Sequence, residues 1–264
     1  MTRLERFGWS GAVEPALARI VSAHGDYYHL VCNEAEGEVL ARKKKSAFIG
    51  ADALRPMTGD YVRFRYNAQG ESMILEVLPR FSHFERKDPT ARRKAQTLAV
   101  NFDTLFIMLS LNENLSLPRL ERYLALTEGM GCAESVVLLT KSDLPGASDR
   151  PRPNVPAIEI SALTGQGLDR LARYLKPRRT IALIGSSGVG KSTLVNALAG
   201  AEWQRTQEIQ EWSGKGRHTT TSRELIMLPS GAMVVDTPGI REIGRVGETE
   251  ERLVKGEATH RYRK

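Results

Sequence analysis

Cysteine is scarce in this 264-residue chain: Cys32 and Cys132 are the only two, and neither belongs to a CxxC pair or lies near a histidine cluster at metal-ligand spacing. That excludes a disulfide framework, gives no reason to expect zinc, and points to a reducing compartment. Long apolar runs are missing too. Nothing approaches the roughly 20 residues that a membrane-spanning helix needs, and the N-terminus MTRLERFGWSG lacks the apolar stretch of a signal peptide. A cytoplasmic protein with no membrane partner is therefore expected. Acidic residues are in deficit, with 31 Asp and Glu against 38 Lys and Arg, a formal charge of +7 and a pI near 9.5. Such a balance favours a polyanionic partner, because Lys and Arg release counterions from nucleic-acid phosphates. Internal repeats and low-complexity tracts are absent.

What remains is an ordinary globular balance, 41% hydrophobic and 26% charged. Between Ala16 and Leu78 the runs ALARIVSAH, YYHLVCN, EVLARK, YVRFRY and SMILEVL alternate with Gly, Asp and Asn turn signals. Five short strands predict a small barrel over residues 1–80, of the OB type that commonly binds oligonucleotides, with an SH3-like barrel as the alternative. RFSHFERKDPTARRK, at 80–94, carries six basic and two acidic residues around Pro89 and reads as a basic linker, assigned to 81–97. From residue 98 to 246 the pattern changes to α/β. DTLFIMLSL, ESVVLLT and RTIALIG are continuous apolar runs, and SLPRLERYLALTEGM is helical in pattern with Ser116 as N-cap. Continuous rather than alternating runs imply a parallel sheet with helices on both faces. Residues 247–264 form a short basic tail.

Three motifs carry the chemistry. GSSGVGKS (Gly185, Ser186, Ser187, Gly188, Val189, Gly190, Lys191, Ser192), continuing into Thr193, follows a strand and opens a helix, as a phosphate loop must. Its N–H groups would wrap the phosphates, Lys191 would reach the β and γ oxygens, and Ser192 would ligate Mg²⁺. DTPG follows the apolar run AMVV; there Asp236 would hold Mg²⁺ and the Gly239 N–H would meet the γ-phosphate. TKSD, from Thr140 through Lys141 to Asp143, follows VVLL, and Ser161-Ala162 follows AIEI. The Asp143 carboxylate can accept from guanine N1–H and the 2-amino group, which adenine does not offer, the Lys141 stem can cover the base, and Ala162 can offer an N–H to O6. Leaving that carboxylate unpaired would reject ATP by orders of magnitude. GTP/GDP is the expected ligand. The order is rotated, because the guanine motifs precede the phosphate loop instead of following it. Joining the termini of a compact domain and reopening it elsewhere produces such an order, so the fold expected is a circularly permuted P-loop GTPase domain behind a small β-barrel.

With these parts in this order, including RKDPTARRKAQTLAVNFDTLFIM, GKGRHTTTSRELIML and DTPGIREIG, the chain resembles the circularly permuted GTPases of small ribosomal subunit biogenesis, the RsgA, YjeQ or YloQ type. The resemblance implies a GTP hydrolase that acts in late assembly of the small subunit, is stimulated by that subunit, and touches ribosomal RNA through its barrel. A guanine-nucleotide-gated RNA-binding module with negligible hydrolysis is the alternative. Under this reading Arg42, Lys43, Lys44 and Lys45, with Arg86, Lys87, Arg92, Arg93 and Lys94 of the linker, contact RNA phosphates. GRHTTT matches the family's first switch loop, so Thr219 or Thr220 completes the Mg²⁺ shell, with Thr220 preferred. Ile240 stands where other GTPases carry a water-orienting Gln, and His218 is the family's candidate for that role. Family members usually carry a zinc-binding segment beyond the second switch. No cysteine follows Cys132 here, so His260 is left without co-ligands and zinc is not expected. The protein is expected to be a monomer.

Overall fold

The computed structural model describes residues 1–48, 54–86, 96–131, 134–200 and 223–236. A short helix, α1 (Arg3–Arg6), precedes β1 (Leu17–His24), β2 (Tyr27–Cys32), β3 (Val39–Lys43), β4 (Tyr61–Arg65) and β5 (Ser72–Val77), one strand for each run read from the sequence. They pair in the order β1-β2-β3-β5-β4, and β4 returns to β1, so the sheet closes on itself. The β3–β5 contact is parallel and the others antiparallel, a five-stranded Greek-key closure of the OB type. Period-two alternation fills the barrel. Val39 and Ala41 of β3 point inward while Leu40 and Arg42 point out, and Ala18, Ile20, Leu30, Phe64 and Ile74 complete the interior.

Two short strands follow. β6 (His83–Arg86) and β7 (Gln96–Val100) form an antiparallel pair. Residues 83–86, which the sequence suggests are part of a charged connector, thus lie in a strand whose Phe84 is fully buried beside Phe102, Leu105 and Ile107. The second unit contains β8 (Thr104–Ser110), α2 (Leu117–Leu126), β9 (Glu134–Thr140), β10 (Ala157–Glu159) and β11 (Thr180–Gly185). A helix at 191–200, α3, then precedes β12 (Arg223–Met227) and β13 (Met233–Asp236). β10, β9, β8, β11 and β13 run parallel, and β12 closes antiparallel on β13. β8 is buried at every position because both of its faces are covered, as its unbroken apolar run requires. Ser116 is the N-cap of α2 by backbone conformation, yet its side chain makes no capping hydrogen bond. α2 is also shorter than the pattern suggests. It stops at Leu126, where Thr127 Oγ1 donates to Leu124 O at 2.7 Å and Gly129 turns left-handed at φ 85°.

β1 joins the two units. Its even residues Ala18 and Ile20 fill the barrel, while Leu17 and Val21 on its other face pack against Leu4 of α1 and against Leu225, Met233 and Val235. It also pairs with β12, Ser22 opposite Glu224 and Ala23 opposite Arg223. One sheet of 11 strands, β10-β9-β8-β11-β13-β12-β1-β2-β3-β5-β4, therefore runs through barrel and nucleotide-type domain alike.

Candidate nucleotide site

In parallel α/β sheets ligands sit beyond the carboxyl ends of the strands, where the chain's connections diverge. Here β8 leads outward to β9 while β11 has β13 on its other side, so the divergence falls between β8 and β11. GSSGVGKS leaves β11 at that point. Gly185 is required by proximity, since a Cβ there would stand 2.7 Å from Met108 O of β8 and 2.9 Å from the Val189 side chain. Gly190, at φ 105°, occupies backbone space that a side chain would strain, and an added Cβ would face open space. Val189 is buried and pins the loop to the core. Beyond it α3 buries Leu194, Val195 and Ala199 on one face. Lys191 Nζ lies over the loop and donates to Gly185 O and Ser186 O, both at 2.9 Å. The N–H groups in the first turn of α3, including those of Ser192 and Thr193, have no intrahelical acceptor and so can meet an anion.

The guanine motif leaves β9 two strands away. Thr140 is 3% exposed, and its Oγ1 lies 2.6 Å from Val189 O and 3.2 Å from Leu109 O. With a single proton, the hydroxyl donates chiefly to Val189 O, so the guanine loop is bonded directly to the phosphate loop across 49 residues of chain. Thr140 stands where Asn is usual in this motif, and its short hydroxyl supplies the bridging donor. Lys141 then turns left-handed at φ 61°, Leu144 N donates to Lys141 O at 3.2 Å, and Asp143 is held exposed at the turn. Ser142 N donates to Ile160 O at 3.2 Å, which brings the Ser161-Ala162 loop alongside. Ser161 is fully buried, and its hydroxyl accepts from Thr164 N at 3.1 Å to shape the turn that presents Ala162. The Ser142 hydroxyl is buried with no hydrogen-bond partner among the described residues.

The donor set suits Mg²⁺. Ser192 opens α3, and β13 lies beside β11 with Val235 opposite Ala182, so Asp236 ends its strand next to the phosphate loop. A hydroxyl and a carboxylate are the hard oxygen ligands that Mg²⁺ takes along with water and phosphate. Thr219, Thr220, His218 and Gly239 lie outside the described residues, as do Lys87, Arg92, Arg93, Lys94 and the 247–264 tail.

The family model described as "RsgA GTPase" matches residues 77–246, more than half of the chain. The chain belongs to the RsgA GTPase family. Among curated RsgA proteins, "Small ribosomal subunit biogenesis GTPase RsgA 2" of Lactiplantibacillus plantarum is 41% identical over 234 residues, covering 86% of this chain and 66% of that protein. The Methanosarcina acetivorans RsgA is 44% identical over 211 residues, covering 76% of this chain and 56% of its own. The chain thus spans somewhat less than two thirds of the length of these relatives. The crystal structure of YjeQ from Thermotoga maritima superposes with a TM-score of 0.60 at 24% identity, covering 85% of this chain and 74% of that one, a likeness of fold. A second superposing structure, YloQ, is described as a circularly permuted GTPase and matches with a TM-score of 0.53 at 22% identity, covering 88% of this chain and 74% of that one, again a likeness of fold.

Some contacts were not evident from sequence. Two of the cations expected on RNA already have carboxylate partners, Arg42 with Glu71 at 2.7 Å and Lys43 with Asp26 at 3.2 Å. Arg19 is fully buried where the two units meet. It donates to Phe7 O at 2.6 Å, Asn101 O at 3.0 Å and Thr180 Oγ1 at 3.0 Å, and lies over the Tyr61 ring at 4.8 Å. Next to it Asp60, also buried, takes a two-pronged pair from Arg80 at 2.8 Å on each oxygen, while Asn101 Nδ2 bonds Gly59 O at 3.2 Å. Burial pushes the Asp60 carboxyl above the usual range, and Arg80 pulls the other way. The only sequence signal for this junction was a lone Arg inside the apolar run LARIV.

Proposed function

We propose that this chain hydrolyses GTP to GDP and phosphate in the maturation of the small ribosomal subunit, a reading supported by its relatives' name, small ribosomal subunit biogenesis GTPase. The observation that supports the reading is the Thr140–Val189 hydrogen bond, by which the TKSD and GSSGVGKS loops meet beyond the carboxyl ends of β9 and β11. Asp143 accepts from the guanine edge, the Lys141 stem covers the base, and the Ala162 N–H meets O6. The backbone of Gly185 to Thr193 and the Lys191 ammonium hold the phosphates and draw off the charge that grows on the β–γ bridge as water attacks phosphorus. His218 orients that water, and the Gly239 N–H reads the γ-phosphate. Ser192, Thr220 and Asp236 would hold Mg²⁺, which when bound offsets phosphate charge. The barrel and the basic segment, through Arg42, Lys43, Lys44, Lys45, Arg86, Lys87, Arg92, Arg93 and Lys94, engage ribosomal RNA, and the protein works as a cytoplasmic monomer.

The test is GTP turnover with and without purified small subunits. Stimulated turnover is expected, and its loss in His218→Ala would place that residue in the mechanism. Nucleotide-dependent co-sedimentation with no turnover would make the chain a gated RNA-binding module instead.

A further inference from the structure

Arg19 belongs to none of the motifs above, yet it is fully buried. Among the described residues it forms no ion pair, and the neighbouring Asp60 carboxylate is occupied by Arg80 at 2.8 Å on each oxygen. Neutral acceptors from both units hold it instead. It donates to Phe7 O at 2.6 Å and Gly59 O at 3.3 Å on the barrel side, and to Asn101 O at 3.0 Å, Thr180 Oγ1 at 3.0 Å and Met233 Sδ at 3.4 Å on the other. A buried cation is costly, and an apolar side chain of similar volume often holds a fold as well or better. What the apolar side chain lacks is direction. A guanidinium bonds along fixed axes in one plane, so a shift of either unit breaks a bond in a place that water does not reach. Two of the acceptors, Thr180 and Met233, are the first residues of β11 and β13 and lie opposite each other in the sheet. The far ends of the same two strands are Gly185 of the phosphate loop and Asp236, roughly 17 Å and 10 Å along the chain.

We propose that Arg19 is a positioning residue for the proposed hydrolysis, fixing β11 and β13 axially against the barrel so that binding at the nucleotide site or at the barrel is felt at the other. The inference rests on the hydrolytic reading above and adds the side chain through which the two units exchange load. Strands suit this task. An extended chain is already near its full length per residue, so β11 and β13 cannot absorb a displacement by stretching. Their pairing at Thr180–Met233, Ile181–Val234 and Ala182–Val235 makes them move together. A pull of bound phosphates on Gly185 and of Mg²⁺ on Asp236 therefore reaches Thr180 and Met233, and Arg19 carries it to Phe7 O and Gly59 O. The backbone link is less direct, because β1 meets β12 at two residue pairs, Ser22–Glu224 and Ala23–Arg223, and reaches the backbone of β13 only through β12. Coupling of binding free energies is reciprocal, so if contacts of the barrel are felt at the nucleotide, the nucleotide must be felt in the barrel.

The experiment follows amide hydrogen exchange in the full chain, free and saturated with GDP. Wild type should show protection of residues 185–191 and, through Arg19, exchange slowed about fivefold or more over residues 18–21 of β1. Thr180→Val keeps the shape of the side chain and removes the acceptor on β11 alone. It should keep the loop protection and lose the β1 response, and Thr180→Ser should regain it. GTP turnover supplies the second readout. In Thr180→Val, assayed below its melting transition, the ratio of subunit-stimulated to basal turnover should fall about fivefold or more with basal turnover unchanged. A purely structural bond would lower the melting temperature and leave both readouts as in wild type, which would overturn the inference. So would loop protection with no β1 response in wild type, and both results leave the hydrolytic reading standing. Absent stimulation in wild type would overturn the ribosomal reading, while hydrogen exchange would still decide the role of Arg19. No loop protection at all in wild type would overturn the nucleotide reading itself, and the positioning role with it.

Discussion

Thr140→Val isolates the link between the two halves of the proposed nucleotide site. Valine matches threonine in shape, so the buried strand end should keep its packing while losing one donor. Val189 O then loses a 2.6 Å partner in a place that water does not reach, Thr140 being 3% exposed. An unmet buried group of this kind costs about 1–3 kcal/mol. Where that cost falls is informative. If the hydroxyl only holds the fold, it falls on unfolding, and GDP affinity measured by calorimetry on folded protein is unchanged. If it preorganises the guanine loop against the phosphate loop, part of it falls on binding, and GDP weakens by up to about 5- to 150-fold. The expectation is a measurable share in binding, with Thr140→Ser restoring both quantities. A Thr140→Val protein with wild-type urea midpoint and wild-type GDP affinity would refute the claim that this bond joins the site.

Asp143→Asn should weaken guanine-nucleotide binding by about a hundredfold, because a charge-assisted acceptor becomes a neutral amide, while adenine-nucleotide binding measured by the same calorimetry stays negligible. Arg80→Leu leaves Asp60 buried and unpaired and should cost about 3–5 kcal/mol in urea unfolding. The unpaired carboxyl is pushed further up, so the folded state holds its proton more tightly than the unfolded chain does. That stability is present at low pH and lost as pH rises through the folded value, so the variant should suffer more at pH 8 than at pH 5. Ser142→Ala removes a buried hydroxyl that has no partner among the described residues and should be neutral or slightly stabilising by thermal melt. A loss above about 1 kcal/mol would show that the hydroxyl does have a partner.

Elements whose physics is local were readable from residues alone. The unbroken runs at Thr104–Ser110 and Thr180–Gly185 announced buried parallel strands, and GSSGVGKS could be placed because its glycines answer to a close approach and a left-handed turn. What escaped were contacts between distant parts. Nothing near Ser22 marks it as a partner of Glu224, since a pairing of that separation leaves no local pattern. Phe84 disappeared among the charges that follow it, although a single large aromatic anchors its strand in the core. Thr140 could be seen as a departure from Asn, but only the position of Val189 O shows that a hydroxyl makes the bridge.

The permuted order gains physical meaning from the sheet. β12 lies between β13, which ends at Asp236, and β1, whose inner face fills the barrel. A displacement of β12 along its axis would have to break or shift backbone hydrogen bonds on both sides, and β1 is further fixed by Arg19, buried against Asn101 and Thr180. The barrel is thus built onto the same sheet that presents the phosphate loop instead of hanging from a tether. A contact on the outer face of β2 and β3 is then separated from β13 only by paired strands, β1 and β12, with no flexible joint between them. Arg19→Met should loosen this join. The expected result is two separable unfolding transitions by calorimetry in place of a single cooperative one, and a single transition in that variant would mean that the paired strands alone suffice to unite the two units.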